Sequence, residues 1–179
     1  TRTPSPPNEP SPHRAANRGR ASAQRLGRAG CRGKGTAGPS EADGQETVRL
    51  VNEAGGEADM HLADISDAAQ AKALVEATVA RFGRLDVLVN NASIRRQTKF
   101  LELTPTEWRE IMGTTIDGAF YCAHAAASHI IAAGGGTINN PGGISSHIGT
   151  KGRVHASTAK AGMIEQPRWL APELADDNV

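Results

Sequence analysis

Aromatic side chains are scarce in this 179-residue chain: three Phe, two Trp and a single tyrosine, Tyr121. That scarcity argues against a surface built to stack nucleic-acid bases. Cysteine is almost absent too. Cys31 lies in a polar basic tract and Cys122 in an apolar helical pattern, which excludes a disulfide framework and favours a reducing, cytoplasmic setting. Cys122 reads as a small core residue. No apolar run approaches the roughly 18 residues of a membrane span, so no membrane partner is expected. The N-terminal tract has no apolar h-region of a secretory signal, and its Arg-rich, acid-poor composition is only faintly like a transit peptide.

The net charge of +1 hides a split. Residues 1–34 carry eight Arg or Lys against one acid, Glu9, whereas the remainder carries twelve basic and eighteen acidic side chains. Residues 1–45 also hold most of the prolines and only one large aliphatic residue, Leu26. Such a stretch cannot bury enough surface to offset its ordering entropy, so an irregular, solvated segment is expected there. Without an aromatic or a binding module it is not expected to act as a nucleic-acid arm. The folded domain is expected over residues 46–179.

Periodicity then yields an alternating series. The segment Thr47 to Val51 reads as the end of a helix stopped by Gly55-Gly56, and Met60 to Asp64 as a short strand. Ser66 or Asp67 caps a helix with Leu74, Val75, Thr78, Val79 and Phe82 on one face, closed by Gly83. Leu85 to Val89 is a nearly continuous apolar run, the mark of a buried parallel strand. Thr104-Pro105-Thr106-Glu107 predicts a capped helix start with a capping box, and that helix runs to about Ala133 before Gly134-Gly135-Gly136. Thr137 to Asn140 reads as a polar strand, and a last helix spans Val154 to Leu174, where Pro167 and Pro172 should kink it. Strand and helix in turn, with short connections, predict an α/β fold: a doubly wound, Rossmann-like parallel sheet, here incomplete.

Ligands in such folds bind beyond the carboxyl ends of the strands. Asp64 follows the first strand, Asn90-Asn91-Ala92-Ser93 the second, and Gly142 to His147 the third. Taken singly each is ordinary turn chemistry; three at successive strand ends point to a cleft. No metal site is expected.

These residues, in order, resemble the short-chain dehydrogenase/reductase family. The series is Asp64-Ile65, then Asn90-Asn91-Ala92-Ser93, Trp108, Gly118-Ala-Phe, Gly-Thr-Ile-Asn139-Asn140 and Ala159-Lys160-Ala161-Gly162. The resemblance implies hydride transfer between NAD or NADP and a small alcohol or carbonyl substrate. It implies that Asp64 and Ile65 lie against the adenine, that Asn90, Asn91, Ala92 and Ser93 form the loop supporting the cofactor, and that Asn91 steadies the central strand. Lys160 would hold the nicotinamide ribose. Ser93 stands where the family commonly has glycine.

The pattern also breaks. The family's tyrosine should precede Lys160 by four residues, and that position is Ala156. Alanine has no proton to exchange. The substrate-binding serine aligns with Gly143, leaving Ser145 as the nearest substitute, and the asparagine of the long helix aligns with Thr115. His155 is a candidate proton donor, since imidazole titrates near neutral pH, although at five residues from Lys160 it lies about 140° round the helix from it, against about 40° for four-residue spacing; His147 is a second. Arg95 and Arg96 edge the cleft. The Gly-rich phosphate loop is unrecognisable, and the chain stops where the family enters its next strand. A frame-shifted reading of an ordinary first strand and loop would produce the abrupt compositional change before Gln45. The expected activity is therefore impaired hydride transfer. The alternative is a non-catalytic family remnant that binds protein partners, with a homo-oligomer through helices 104–133 and 154–174 as one form.

Overall fold

A computed structural model of the chain describes residues 41–143 and 147–179. It begins with helix α1 (Glu41–Glu53), which ends at a turn where Gly55 takes a φ of 79°. Helix α2 (Ala68–Phe82) starts at Asp67, whose carboxylate accepts from the N–H groups of Ala69 and Gln70. It stops at Gly83, which adopts the left-handed conformation that only glycine takes without penalty. Strand β1 (Val87–Val89) follows. A single turn of tight helix at Phe100–Glu102 leads to α3 (Pro105–Met112), capped by the Thr104 hydroxyl on the Glu107 N–H. A π-helical turn at Gly113–Asp117 joins it to α4 (Gly118–Ala132). Strand β2 (Thr137–Asn139) pairs in parallel with β1, Leu88 opposite Ile138, and α5 (Val154–Leu174) completes the order.

The alternation is as the sequence predicts, with two differences in the sheet. Met60 to Asp64 joins no ladder among the described residues. Side chains supply the acceptors instead: the N–H groups of Met60 and Asp64 donate to Asp59 Oδ1 and Gln70 Oε1. The strand expected over Leu85 to Val89 is shortened to three residues and is not buried on both faces. Val89 remains 48% exposed, because β1 pairs along one edge only among the described residues. The long helix is also not uniform, since the π turn interrupts it.

Three apolar clusters hold the elements together. Ile65, Ala71, Leu74 and Cys122 pack α2 on α4 beneath Leu88. Val75, Ala126 and Ile130 continue that seam towards Ile138. Ile94, Ile111 and Ala159 fasten the loop after β1 to α3 and α5. The side chains of Ile111, Ile130 and Met163 are fully enclosed, each worth about 1.5–3 kcal/mol by the area it removes from water.

Gly136 marks the closest approach of backbone to backbone. A Cβ there would lie 2.1 Å from the Asp86 carbonyl oxygen and 2.8 Å from Ile130 Cγ2. Gly136→Ala must push β2 away from β1, and overpacking of this kind costs about 1–3 kcal/mol. The expected fall in Tm is roughly 2–4 °C per kcal/mol for a chain of this size. Gly149→Ala, where an added Cβ meets nothing within 4 Å, is the control and should leave the thermal unfolding curve in place.

Candidate functional site

Parallel pairing brings the carboxyl ends of β1 and β2 to the same rim of the sheet. The register sets Val89 opposite Asn139, so the next residues, Asn90 and Asn140, emerge side by side. The Asn90 N–H donates to the Asn139 carbonyl at 2.8 Å. Its side-chain amide is buried and donates to Asn140 Oδ1 at 2.9 Å and to the Ala119 carbonyl of α4 at 3.2 Å. Asn90 thereby ties the strand end to α4 and β2, while Asn91, of which steadying is expected, is exposed on the rim. Ala92 packs against the α2–α4 cluster, and Ser93 is half-buried beside it.

The loop that follows runs as a wall beside the strand ends, where the cleft is expected. Ile94 is buried against Ile111 and Ala159, which sets Arg95 and Lys160, the next residue of each segment, at the same place. The wall is tied across by the Thr98 N–H, which donates to the Gly152 carbonyl at 2.9 Å. Arg96 turns the other way, towards Glu110 at 2.8 Å.

Lys160 projects from α5 towards the end of β2, where its ammonium donates to the Pro141 carbonyl at 3.3 Å and lies 3.6 Å from Met163 Sδ. The side chain is half-buried, and no carboxylate pairs with it among the described residues. Burial, and then the positive charge of Arg95, hold its pKa below the ordinary lysine value. Ala156, one turn earlier on the same helix face, is also half-buried.

His155 faces inward. It is 0% exposed, its Nε2 lies 3.6 Å from Glu107 Oε1, and neither ring nitrogen reaches hydrogen-bond geometry. Glu107 is the hub of this second group: it accepts from the Thr98 hydroxyl at 2.5 Å and lies 3.9 Å from Arg96. The capping box read from the sequence is thus only half formed, because the Glu107 carboxylate serves Thr98 and His155. A polar hub at Glu107 left no signal in the motif.

On the adenine side of the expected site, Asp64 Oδ1 accepts from both the N–H and the hydroxyl of Ser66, leaving Oδ2 for another donor. The Ile65 side chain is 3% exposed and packs into the α2–α4 core. Ser145 lies outside the described residues. His147 is exposed on the loop between β2 and α5. Thr115 is buried within the π turn, and its hydroxyl has no partner.

A sequence-family model described as short chain dehydrogenase matches residues 17–179, beginning upstream of the folded domain expected over residues 46–179. The chain is 30% identical over 142 residues to the 3-oxoacyl-[acyl-carrier-protein] reductase FabG of Chlamydia pneumoniae, covering 79% of this chain and 57% of that protein. It is 34% identical over 125 residues to the 3-oxoacyl-[acyl-carrier-protein] reductase of Synechocystis, covering 70% and 51%. Among solved structures, the acetoin dehydrogenase of Enterobacter cloacae superposes with a TM-score of 0.78 at 30% identity, over 89% of this chain and 62% of that one. The chain spans about half the length of the two reductases it matches.

The environment of Lys160 sets a sign for pH dependence. Its folded pKa lies below the ordinary value of 10.5, so between the two values the unfolded chain binds more protons and stability rises with pH. Lys160→Met removes this contribution. The stability of the wild-type chain relative to that variant, measured by urea unfolding, should climb with pH through that window and be flat below it. A difference that does not change with pH would show the ammonium to be solvated.

Proposed function

The chain belongs to the short-chain dehydrogenase family, and from that premise we propose that the cleft beyond β1 and β2 is the nicotinamide half of an NAD- or NADP-linked oxidoreductase site. The observation that carries this reading is the state of Lys160: a half-buried ammonium without a carboxylate partner among the described residues, at the rim where the strands end. One of its N–H groups is committed to Pro141, and an ammonium has two more to give. That donor set suits the hydroxyls of a ribose, and the free Oδ2 of Asp64 suits a donor on a purine edge. When bound, a nicotinamide supplies or accepts the hydride.

The chain's own residues bind and orient. Lys160 holds the ribose, the 90–93 loop supports the ring side, and the buried Asn90 amide fixes that loop to α4. The substrate is a small alcohol or carbonyl compound in a soluble, cytoplasmic setting. What the described residues lack is the proton donor one turn before Lys160. Ala156 cannot donate, and His155 is enclosed against Glu107 instead of opening on the cleft. Transfer in this chain is therefore impaired, with Ser145 as the group that would hold the substrate oxygen.

Ala156→Tyr restores a phenol one helical turn from Lys160. In that variant, turnover of a small ketone with NADH or NADPH should rise by roughly 10²–10⁴-fold, the usual weight of a positioned general acid. Adding Lys160→Ala should remove the gain. A folded Ala156→Tyr protein whose Trp108 and Trp169 fluorescence is quenched by neither NADH nor NADPH, and which shows no turnover, would overturn the oxidoreductase reading.

A second reading, a protein-binding remnant or homo-oligomer, is favoured by two exposed aromatics on the helices concerned. Phe120 on α4 is 47% exposed and Trp169 on α5 is 74% exposed. Single exposed apolar residues are common, so the test is direct: Trp169→Glu and Phe120→Glu should shift sedimentation velocity towards the monomer. An unchanged sedimentation coefficient counts against assembly through these helices.

A further inference from the structure

Helix α5 contains a defect in its middle. In an α-helix the carbonyl of residue i accepts from the N–H of residue i+4. For Met163 that residue is Pro167, which has no N–H and whose ring crowds the carbonyl. Met163 is fully buried, so its carbonyl oxygen needs a donor from within the protein. The Asn140 side chain supplies one: Nδ2 donates to the Met163 carbonyl at 2.8 Å and to Gln166 Oε1 at 3.2 Å. Its Oδ1 accepts from Asn90 at 2.9 Å. The amide can face only one way, because exchanging its oxygen and nitrogen would oppose two donors at Asn90 and two acceptors at Met163.

The same two elements meet a second time, one residue on. Lys160 Nζ donates to the carbonyl of Pro141, the residue after Asn140. Lys160 and Met163 are three apart on one helix face, and Met163 Sδ lies 3.6 Å from the Lys160 ammonium. Consecutive residues of the strand end thus grip the helix at its broken carbonyl and at its cation.

We propose that Asn140 is a positioning residue: its amide replaces the backbone donor that Pro167 lacks and so fixes the turn of α5 that presents Lys160 to the cleft. The assignment deepens the proposed function in resting on Lys160 as the ribose-facing cation, but the clamp itself requires no cofactor. With Pro167 in place the Met163 carbonyl depends on Asn140 for its donor, and with an N–H at position 167 it does not. Their effects must therefore be coupled.

A double-mutant cycle tests this on the full chain: wild type, Asn140→Ala, Pro167→Ala and the double variant. Thermal unfolding gives the coupling, and NMR titration of ¹³C-dimethylated lysines gives the state of Lys160, whose resonance is identified by its loss in Lys160→Met. In the wild-type background, Asn140→Ala should lower Tm by roughly 2–12 °C, as expected for an orphaned buried carbonyl in a chain of this size, and should displace the Lys160 titration. With Pro167→Ala, which returns an N–H to Met163, the loss should fall to half or less and the Lys160 titration should return towards its wild-type midpoint. A folded double variant beside an unfolded Asn140→Ala is the same rescue in stronger form. Equal losses in both backgrounds, a Lys160 titration indifferent to Asn140, or loss of the fold in both backgrounds would overturn the proposal. Such a result leaves the oxidoreductase reading intact. Conversely, an intact coupling in a chain that binds no nicotinamide would reject that reading and keep the clamp.

Discussion

The buried amide of Asn90 is the constraint on which the rest of this structure depends. A polar group removed from water must be matched by another or it costs the fold. Asn90 stands where β1 ends, and its two amide hydrogens reach α4 and the end of β2. Through Asn140 the same chain of amides extends to α5. Two strands of three residues each form a very small sheet, and six residues of backbone pairing would not hold three helices in place. The side-chain amides extend that pairing beyond the sheet to α4 and α5. Asn90 donates twice, whereas Asn140 both accepts from Asn90 and donates to Met163, so the arrangement fixes register as well as distance.

A second polar group balances the first on the far side of the cleft wall. Glu107 gathers Thr98, Arg96 and His155, and Arg96 is neutralised mainly by Glu110. The result is a division of charge along one short loop. Arg96 is spent on structure, whereas Arg95 faces Lys160 and raises the cost of its positive charge. The rim of the cleft is thereby left electropositive, while the interior behind it is compensated.

Much of this was legible from the residues. Asp67, Gly83, Thr104 and the triple glycine each punctuate the chain through local backbone chemistry, and their elements begin and end where that chemistry dictates. The bounds of α5 likewise agree with its apolar spacing. Tertiary choices were less visible. Met60 to Asp64 has a strand-like pattern, but a strand exists only with a ladder partner, and its N–H groups found side-chain acceptors first. The Glu107 motif allowed two destinations for one carboxylate, and a residue distant in sequence, His155, decided between them. At the site, Lys160 could be placed from its helix and neighbours, whereas the inward turn of His155 depended on the packing of α5 against α3. The role of Asn140 was hidden for a different reason. Its signal is the proline 27 positions later, and only the fold brings them together.

The pairing of β1 with β2 has a consequence in time. Val87 lies opposite Thr137, so the sheet closes a loop of about fifty residues, and such closure carries an entropic toll that local contacts must first offset. The intervening segment is mostly helix, from Pro105 to Ala132. A nascent chain would dock α4 on α2 before either strand finds its neighbour, since that seam is apolar and contiguous. The strand-end amides would then form after that seam and open before it, so backbone at the strand ends exchanges sooner than backbone in the seam.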